Sequence, residues 1–284
     1  MRYSSAGAGP KESVLDMLFT DQPLARRLEG ADAWGGVECA RAHARLYPDS
    51  GAASELVAGG YAIFAGVGSP LTRALGLGMS GPVGGAEVEQ MEAFFQSRGA
   101  PATIEMCPLA DESLLKLLGS RRYRVTEFSS VLIRPLNRRE SFPPLNTGVR
   151  VRRASPTEVD LWVSTVAQSF YEEGVFPAAR EFFSTLFHVA NATCFLGWVD
   201  GEPAGGGAVA VHQGVAILFG TGTRPTFRKR GVQAALIYSR LALAAVSGCD
   251  LAMVTTPPGT VSQRNVERQG FRLVYTRSQI LREP

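Results

Sequence analysis

Two different patterns of hydrophobic and polar residues follow one another in the second half of the chain. Residues 215–219 form an apolar run of strand length, and a run with helical spacing follows, with apolar side chains at Val232, Ala235, Leu236, Leu243 and Val246. Pro225 ends the strand because proline lacks the N–H that a paired strand needs, and Gly231 permits a tight turn. The pattern therefore predicts a strand, a turn, and a helix that begins near Gly231.

Similar patterns predict the elements of the rest of the chain. In the first half they predict helices at residues 13–19, 25–28, 34–47, 86–97 and 112–118, and strands at 61–64, 71–77, 102–106 and 123–133. In the second half they predict strands at 149–152, 193–199, 204–211, 215–223, 251–254, 271–275 and 279–282, and helices that begin at 155, 177, 231 and 262. We expect Ser262 to cap the last of these helices.

The chain divides at residues 135–147, where three prolines predict a linker. The 284 residues suit two domains of about 140 residues each. We therefore expect a flexible tail at residues 1–12, a first domain at 13–134 and a second domain at 148–284. The order of elements before the linker repeats, in outline, the order after it.

Three basic residues, Arg228, Lys229 and Arg230, precede the predicted helix start. The N-terminus of a helix carries a partial positive charge that repels cations, so their position makes sense if an anion binds there. Unpaired N–H groups at a helix start, together with arginine side chains, form a phosphate site. The P-loop pattern is absent from the chain, and Pro225 stands where the dinucleotide-binding pattern requires its third glycine.

The segment Arg228-Lys-Arg-Gly231-Val-Gln233 resembles the Arg/Gln-x-x-Gly-x-Gly/Ala signature of the GNAT superfamily of N-acetyltransferases, although Gln233 departs from the small last residue. The order of predicted elements over residues 149–281 is similar to the GNAT fold, and so is the end of the last helix at Gly270-Phe271. The resemblance implies an α/β protein of two tandem GNAT-like domains, each a mixed, mostly antiparallel sheet flanked by helices.

The first domain is expected to be a degenerate copy, because residues 80–85 occupy the place of the phosphate turn without any arginine. An unrelated α/β domain with the same order of elements is the alternative. We expect only the second domain to bind coenzyme A.

In GNAT proteins the strand end, the turn and the helix start contact the acetyl-CoA cosubstrate. The resemblance carries these contacts to Thr221, Gly222, Thr223, Arg228, Lys229, Arg230, Gly231, Val232, Gln233 and Asn265. A solvated basic patch is the alternative for the arginines, and a helix-capping role is the alternative for Asn265. Gly220 and Gly222 indicate either close approach of a ligand to the backbone or a β-bulge.

The acid and the base of the transfer are harder to place. Many GNAT proteins have a tyrosine four residues before the glycine that is Gly270 here, but Val266 stands at that position. Glu172 and Glu173 lie in the break between the first two helices of the second domain, a segment that lines the acceptor pocket in the family. We expect them to hold or deprotonate a cationic amine, and an exposed acidic helix end is the alternative.

The resemblance implies an N-acetyltransferase that moves an acetyl group from acetyl-CoA to an amine of an unidentified acceptor by direct attack. We expect a small-molecule amine as the acceptor. One alternative is a non-catalytic acyl-CoA sensor, which Val266 favours. The other is an aminoacyl-tRNA-dependent transferase, in which arginines between positions 121 and 153 would form an RNA surface. The net charge of +3 is too small to favour a nucleic-acid partner. The sequence is compatible with a homodimer.

The composition indicates the cellular compartment of the protein and the partners it lacks. The four cysteines form no Cys-x-x-Cys pair, which favours a reducing compartment, and the three histidines have no metal-ligand spacing. Neither a long apolar stretch nor a signal-peptide pattern is predicted. We therefore expect a cytoplasmic protein with no metal and no membrane partner.

Overall fold

The computed structural model describes residues 19–142, 148–171 and 176–282. The helices are α1 (Gln22–Leu46), α2 (Gly85–Gln96), α3 (Glu112–Ser120), α4 (Val159–Ala167), α5 (Pro177–Phe187), α6 (Val232–Val246) and α7 (Val261–Glu267). The strands are β1 (Ala53–Val57), β2 (Gly60–Phe64), β3 (Arg73–Leu75), β4 (Thr103–Met106), β5 (Tyr123–Pro135), β6 (Arg150–Arg153), β7 (Ala192–Val199), β8 (Glu202–His212), β9 (Val215–Thr223), β10 (Leu251–Thr256) and β11 (Arg272–Arg282).

Helix α1 is the largest departure from the predicted elements. The helices predicted at 25–28 and 34–47 are one continuous helix. Gly35 and Gly36 lower its intrinsic helix propensity, but they let it approach the sheet closely. A Cβ on Gly36 would overlap the Ile63 side chain, and a Cβ on Gly35 would lie 3.8 Å from Ile217. The helix predicted at 13–19 falls, except for its last residue, outside the described residues.

Smaller differences concern the ends of elements. β1 is absent from the predictions, and the strand predicted at 71–77 is only Arg73–Leu75. The strands predicted at 271–275 and 279–282 are one strand, β11. Ser262 was the wrong choice of cap: α7 begins one residue earlier, and the Thr260 side chain accepts a hydrogen bond from the Gln263 N–H at 3.3 Å.

The strands of the described residues form one sheet of eleven strands, in the order β1-β2-β3-β4-β11-β5-β10-β9-β8-β7-β6. β3 and β4 are parallel, as are β9 and β10, and the other neighbours are antiparallel. The two predicted domains exchange strands, because β11 lies between β4 and β5 while β5 lies between β10 and β11. Outward from the centre, β11-β4-β3-β2-β1 repeats the arrangement β5-β10-β9-β8-β7. Each half therefore needs a strand of the other.

Helices cover both faces of this sheet. Ile217 and Met253 pack with α1 residues in one hydrophobic cluster, whereas their strand neighbours Leu218 and Ala252 pack with α6 in another. Successive side chains on a strand point to opposite faces, so α1 and α6 lie on opposite sides of the sheet. Helices α4 and α5 share a cluster with Cys39 of α1 and lie on the α1 face.

A buried charge cluster fastens α1 to β11. Glu29 accepts hydrogen bonds from the Tyr275 hydroxyl at 2.7 Å and from Arg277 Nε at 2.8 Å, and Arg277 also pairs with Asp32. Burial raises the pKa of Glu29, although the Arg277 charge opposes the shift. Burial acts in the same direction on Asp32, but the charges of Arg277 and Arg73 outweigh it and lower the pKa of that carboxyl. Residues almost a whole chain apart thus hold the two halves together.

Candidate active site

A gap opens in the sheet where β9 and β10 separate. The two strands pair only between Val215–Leu218 and Leu251–Val254. Beyond this point β9 continues along β8 as far as Thr223, and β10 continues along β5 as far as Thr256. Beyond Leu218, the backbone on the inner edge of β9 therefore has no paired strand among the described residues.

A β-bulge shapes the β9 side of the gap. Gly206 pairs with Gly222 and Ala208 pairs with Phe219, so Gly207 alone faces two residues of β9. One of these two is Gly220, with a φ of +56°, a conformation that favours glycine. The sequence left open a β-bulge or close approach of a ligand at these glycines, and the structure shows the bulge.

The end of α4 lies directly against the bulged strand. A Cβ on Gly222 would lie 2.6 Å from the Ser169 Cβ and 3.1 Å from the carbonyl oxygen of Val166. Only glycine at this position leaves room for the chain that leads into residues 171–176. The end of α4 therefore closes one edge of the gap.

The turn after β9 leads into the N-terminus of α6. Lys229 and Gly231 both adopt left-handed backbone conformations, with φ values of +63° and +81°, and α6 begins at Val232 with Gly231 as its N-cap. This confirms the predicted start of the helix. The first N–H groups of a helix have no acceptor within the helix, so the turn presents donors and the positive end of the helix dipole.

The three cations of the turn differ in their surroundings. Arg230 forms an exposed ion pair of 2.9 Å with Asp200 in the β7–β8 turn. Arg228 Nη2 donates to the carbonyl oxygen of Ser169 at 3.2 Å, which joins the turn to the end of α4. Lys229 is exposed. The predicted cofactor residues thus lie together, from Thr221 to Gln233, along one edge of the gap.

Asn265 and Gln233 connect the two helices that flank the gap. Asn265 Nδ2 on α7 donates to Gln233 Oε1 on α6 at 2.6 Å. The alternative role of Asn265 as a helix cap is wrong, because Thr260 caps α7. Val266 is buried against Phe271 in the core below α6, so the position of the family's tyrosine points into the core in this chain.

The predicted base residues, Glu172 and Glu173, lie outside the described residues. The aromatic residues on either side of them are described: Tyr171 and Phe176 meet edge to face, with ring centroids 4.7 Å apart, and both are exposed. Ser169, two residues before Tyr171, abuts Gly222 at the gap.

Arg240 is a residue of the site that sequence reasoning missed. It lies on α6, is 1% exposed, and its Nη1 donates to Thr221 Oγ1 at 2.7 Å. Burial lowers the pKa of Arg240 to about 9, so it remains a cation at neutral pH. A signal was present in the sequence: Arg240 occupies the apolar stripe of its helix, one turn after Leu236.

The equivalent opening in the first half is closed. After β3, the carbonyl oxygen of Gly78 accepts a hydrogen bond from the Asp111 N–H at 2.9 Å, which ties the chain after β3 to the chain after β4. A Cβ on Gly78 would lie 3.5 Å from Ala110, so the two segments pack closely. The corresponding segments after β9 and β10 leave their gap open.

A polar cavity of about 450 Å³ lies on the α1 face beside β5 and β11. Its lining combines both halves of the chain and includes Arg73, Thr103, Thr126, Glu127 and Gln279. The loop before β3 forms another wall, and its residue Leu71 packs with Trp162 of α4. Strand β5 runs from this cavity to Ser130, which pairs with Thr256 at the gap.

One segment of the second half is similar to a known family of proteins. Residues 137–253 match the family model of the acetyltransferase (GNAT) domain. This segment of the chain is therefore similar to a GNAT acetyltransferase domain. The GNAT match begins in the predicted linker and ends within β10, so it includes β9, the turn and α6. A search of the curated proteins finds no match to this sequence.

Solved structures extend the GNAT likeness across the chain. A GCN5-related N-acetyltransferase from Kribbella flavida aligns with a TM-score of 0.68 at 19% identity, covering 92% of this chain and 96% of its own. A GCN5-related N-acetyltransferase from Sphaerobacter thermophilus gives 0.53 at 17% identity, covering 70% and 67%. A tandem GNAT protein from the clavulanic acid biosynthesis pathway gives 0.51 at 14% identity, covering 69% and 68%. The predicted fold class of tandem GNAT-like domains with mixed sheets flanked by helices is confirmed.

None of the helices among the described residues is long and apolar enough to cross a membrane. No group of three or more histidine, cysteine, aspartate or glutamate side chains among them is arranged to hold a metal ion.

Proposed function

We propose that this protein transfers an acetyl group from acetyl-CoA to an amine, with the open gap between β9 and β10 as the active site. The observation that carries the proposal is the continuity of that gap with a left-handed turn, a helix N-terminus and three cations. This donor set fits a pyrophosphate, because backbone N–H groups, a helix dipole and basic side chains all favour an anion. The closed opening of the first half supports a single site.

The gap also fits the cosubstrate's pantetheine arm. The Arg224 N–H donates to the Ala204 carbonyl of β8 at 2.9 Å, so the N–H of its neighbour Thr223 points away from β8 and into the gap. On the β5 side, the Ser130 Oγ is buried without a hydrogen-bond partner among the described residues. An arm lying in the gap would meet donors and a hydroxyl that the protein itself leaves unused.

The roles of the residues follow from this arrangement. Acetyl-CoA supplies the activated acetyl group. The turn holds the phosphate end, backbone N–H groups of β9 orient the thioester, and Gly222 keeps the end of α4 close to it. Glu172 and Glu173 hold the amine and accept its proton, directly or through water. The position that holds the tyrosine in many GNAT proteins supplies no acid here, since Val266 is buried in the core.

We propose that the acceptor lies across both halves of the chain. The polar cavity on the α1 face holds the end of the acceptor that does not react, and the amine reaches the gap along β5. From Thr126 to Ser130 this strand spans about 13 Å at ~3.3 Å per residue. The lining of Arg73, Glu127 and Gln279 favours a polar amine over an apolar one. Glu127→Gln should then raise the KM for the acceptor more than the KM for acetyl-CoA.

A non-catalytic acyl-CoA sensor is the second candidate, and the buried Val266 favours it. It predicts acetyl-CoA binding without turnover for any amine. The RNA-dependent alternative is weaker, because two of the arginines it needs are engaged in ion pairs within the protein. Arg121 pairs with Glu89 and Glu92 on α2, and Arg152 pairs with Glu158.

Calorimetric titration with acetyl-CoA and with coenzyme A tests the proposed function. Arg228→Glu should weaken binding by about tenfold to hundredfold, the worth of a charge-assisted hydrogen bond, and Gly231→Trp should abolish it. Arg180→Glu is the control, because Arg180 pairs with the exposed Asp160 on the helices of the other face. If both turn variants still bind acetyl-CoA, or if the wild type does not bind it, the turn is not the site of the pyrophosphate.

A further inference from the structure

Arg240 is a buried cation whose hydrogen-bond partners are all neutral. Its Nε donates to the Leu236 carbonyl at 3.0 Å, and its Nη1 donates to the Ala208 carbonyl at 3.2 Å and to Thr221 Oγ1 at 2.7 Å. Among the described residues, the titratable group with an electrostatic effect on it is the Cys194 thiol. Burial raises the pKa of that thiol to about 12, so Cys194 is neutral at physiological pH.

The structure leaves space for the Arg240 guanidinium but places no counter-ion beside it among the described residues. A Cβ on Gly207, the bulge residue of β8, would lie 3.0 Å from Arg240 Cζ. A glycine is therefore required above the guanidinium. A buried charge without a counter-ion lowers the stability of the protein. Such charges occur at functional sites, where their electrostatic field acts on a ligand.

The charge lies directly beneath the gap. Thr221 is half-buried at the bulge of β9, and its hydroxyl group separates the guanidinium from the open edge of the strand. Charges act over longer distances in a low-dielectric interior than in water, so negative charge that develops in the gap is stabilised there. Val266 supplies no proton to such a charge.

We propose that Arg240 is a positioning residue whose buried positive charge, acting through Thr221, stabilises the sulfur of coenzyme A as a thiolate. This inference rests on the proposed function. When the amine nitrogen forms its bond to the acetyl carbon, the carbon–sulfur bond breaks and its electron pair remains on sulfur. The amine gives up one proton to the base and then to solvent. The products are the amide, the thiolate and that proton, so no acid is needed in the step.

The experiment titrates the thiol of coenzyme A bound to the full-length protein and follows the ultraviolet absorbance of the thiolate. A free thiol has a pKa near ~8.5, and we expect the bound thiol to titrate about one unit lower. Arg240→Met and Arg240→Gln should both return the bound thiol to its ordinary value. Arg180→Met, which removes a surface charge, should leave it lowered.

The pair of Arg240 variants separates charge from hydrogen bonding. Glutamine keeps a neutral donor at the position of Arg240 Nε, which bonds the Leu236 carbonyl, so a thiol pKa that stays low in Arg240→Gln would overturn the role of the charge. Unchanged urea unfolding midpoints in both variants would support a functional role, because the loss of an arginine with a purely structural role would lower the midpoint.

Two outcomes need no variant. If the wild type binds coenzyme A but its thiol titrates at the ordinary value, the inference is overturned and the proposed function stands. If the wild type binds no coenzyme A, the proposed function fails and the inference falls with it.

Discussion

Replacing Arg277 with glutamine removes the guanidinium that two carboxylates of α1 share. The side chains of Arg277 and Glu29 are 1% and 0% exposed, so water does not replace the lost partner. Breaking a buried ion pair from one side costs about 3–5 kcal/mol, because the remaining charge stays buried without compensation. Domains have a total stability of about 5–15 kcal/mol, so the loss is large.

The destabilisation should depend on pH. Burial already raises the pKa of Glu29, and without Arg277 only the hydrogen bond from Tyr275 opposes that shift. A carboxyl whose pKa is raised on folding contributes stability at low pH and loses it as the pH rises through the folded-state value. Arg277 also lowers the pKa of Asp32, and that contribution disappears in the variant. The deficit of Arg277→Gln should therefore be smallest near the unfolded-state value of ~4.3 and should grow toward neutral pH.

Urea unfolding at several pH values measures both effects. Arg282→Gln is the matched control on the same strand, because its pair with Glu92 is partly exposed and should be worth at most about 1 kcal/mol. The double variant Arg277→Met with Glu29→Gln should recover part of the loss. A deficit below about 1 kcal/mol, or one that does not change with pH, would refute the role assigned to this cluster.

The strand exchange predicts that residues 148–284 expressed alone do not fold to a cooperative state, because β5 is missing between β10 and β11; circular dichroism and thermal melting would show this, and a sharp transition would contradict it. Thr260→Ala should destabilise the protein by about 1 kcal/mol in urea, whereas Ser262→Ala should change stability by less than about 0.5 kcal/mol. Gly222→Val should lower the free energy of unfolding by about 1–3 kcal/mol, since the new side chain would overlap Ser169. An unchanged unfolding midpoint would show that α4 moves aside at little cost in free energy.

The turn between β9 and α6 was predictable because its determinants are local. Pro225 ends the strand, Gly231 adopts a left-handed conformation, and the apolar spacing of α6 follows at once. Conformational preferences of single residues decide such a segment, and they are written in the sequence. The glycine bulge at Gly220 was foreseen only as one of two explanations, since a bulge depends on the partner strand.

Arg240 could not be assigned in the same way. A lone arginine in an apolar stripe is visible in the sequence, but its partners Ala208 and Thr221 come from two strands that the fold brings over α6. The same limit applies to Asn265, whose partner Gln233 lies on another helix. Contacts between residues distant in the chain depend on packing, and packing has no local signal.

The sequence by itself determined most of the helices and strands in their order, the phosphate-type turn and the absence of a tyrosine at Val266, because propensity, spacing and residue identity act over a few neighbours. Only the tertiary structure decided that β5 pairs with β10 of the second half and β11 pairs with β4 of the first half. It also decided that α1 is one helix and that Glu29 pairs with Arg277. These features arise from strand pairing and burial across hundreds of residues. The free energy of such contacts exists only once the whole sheet has formed.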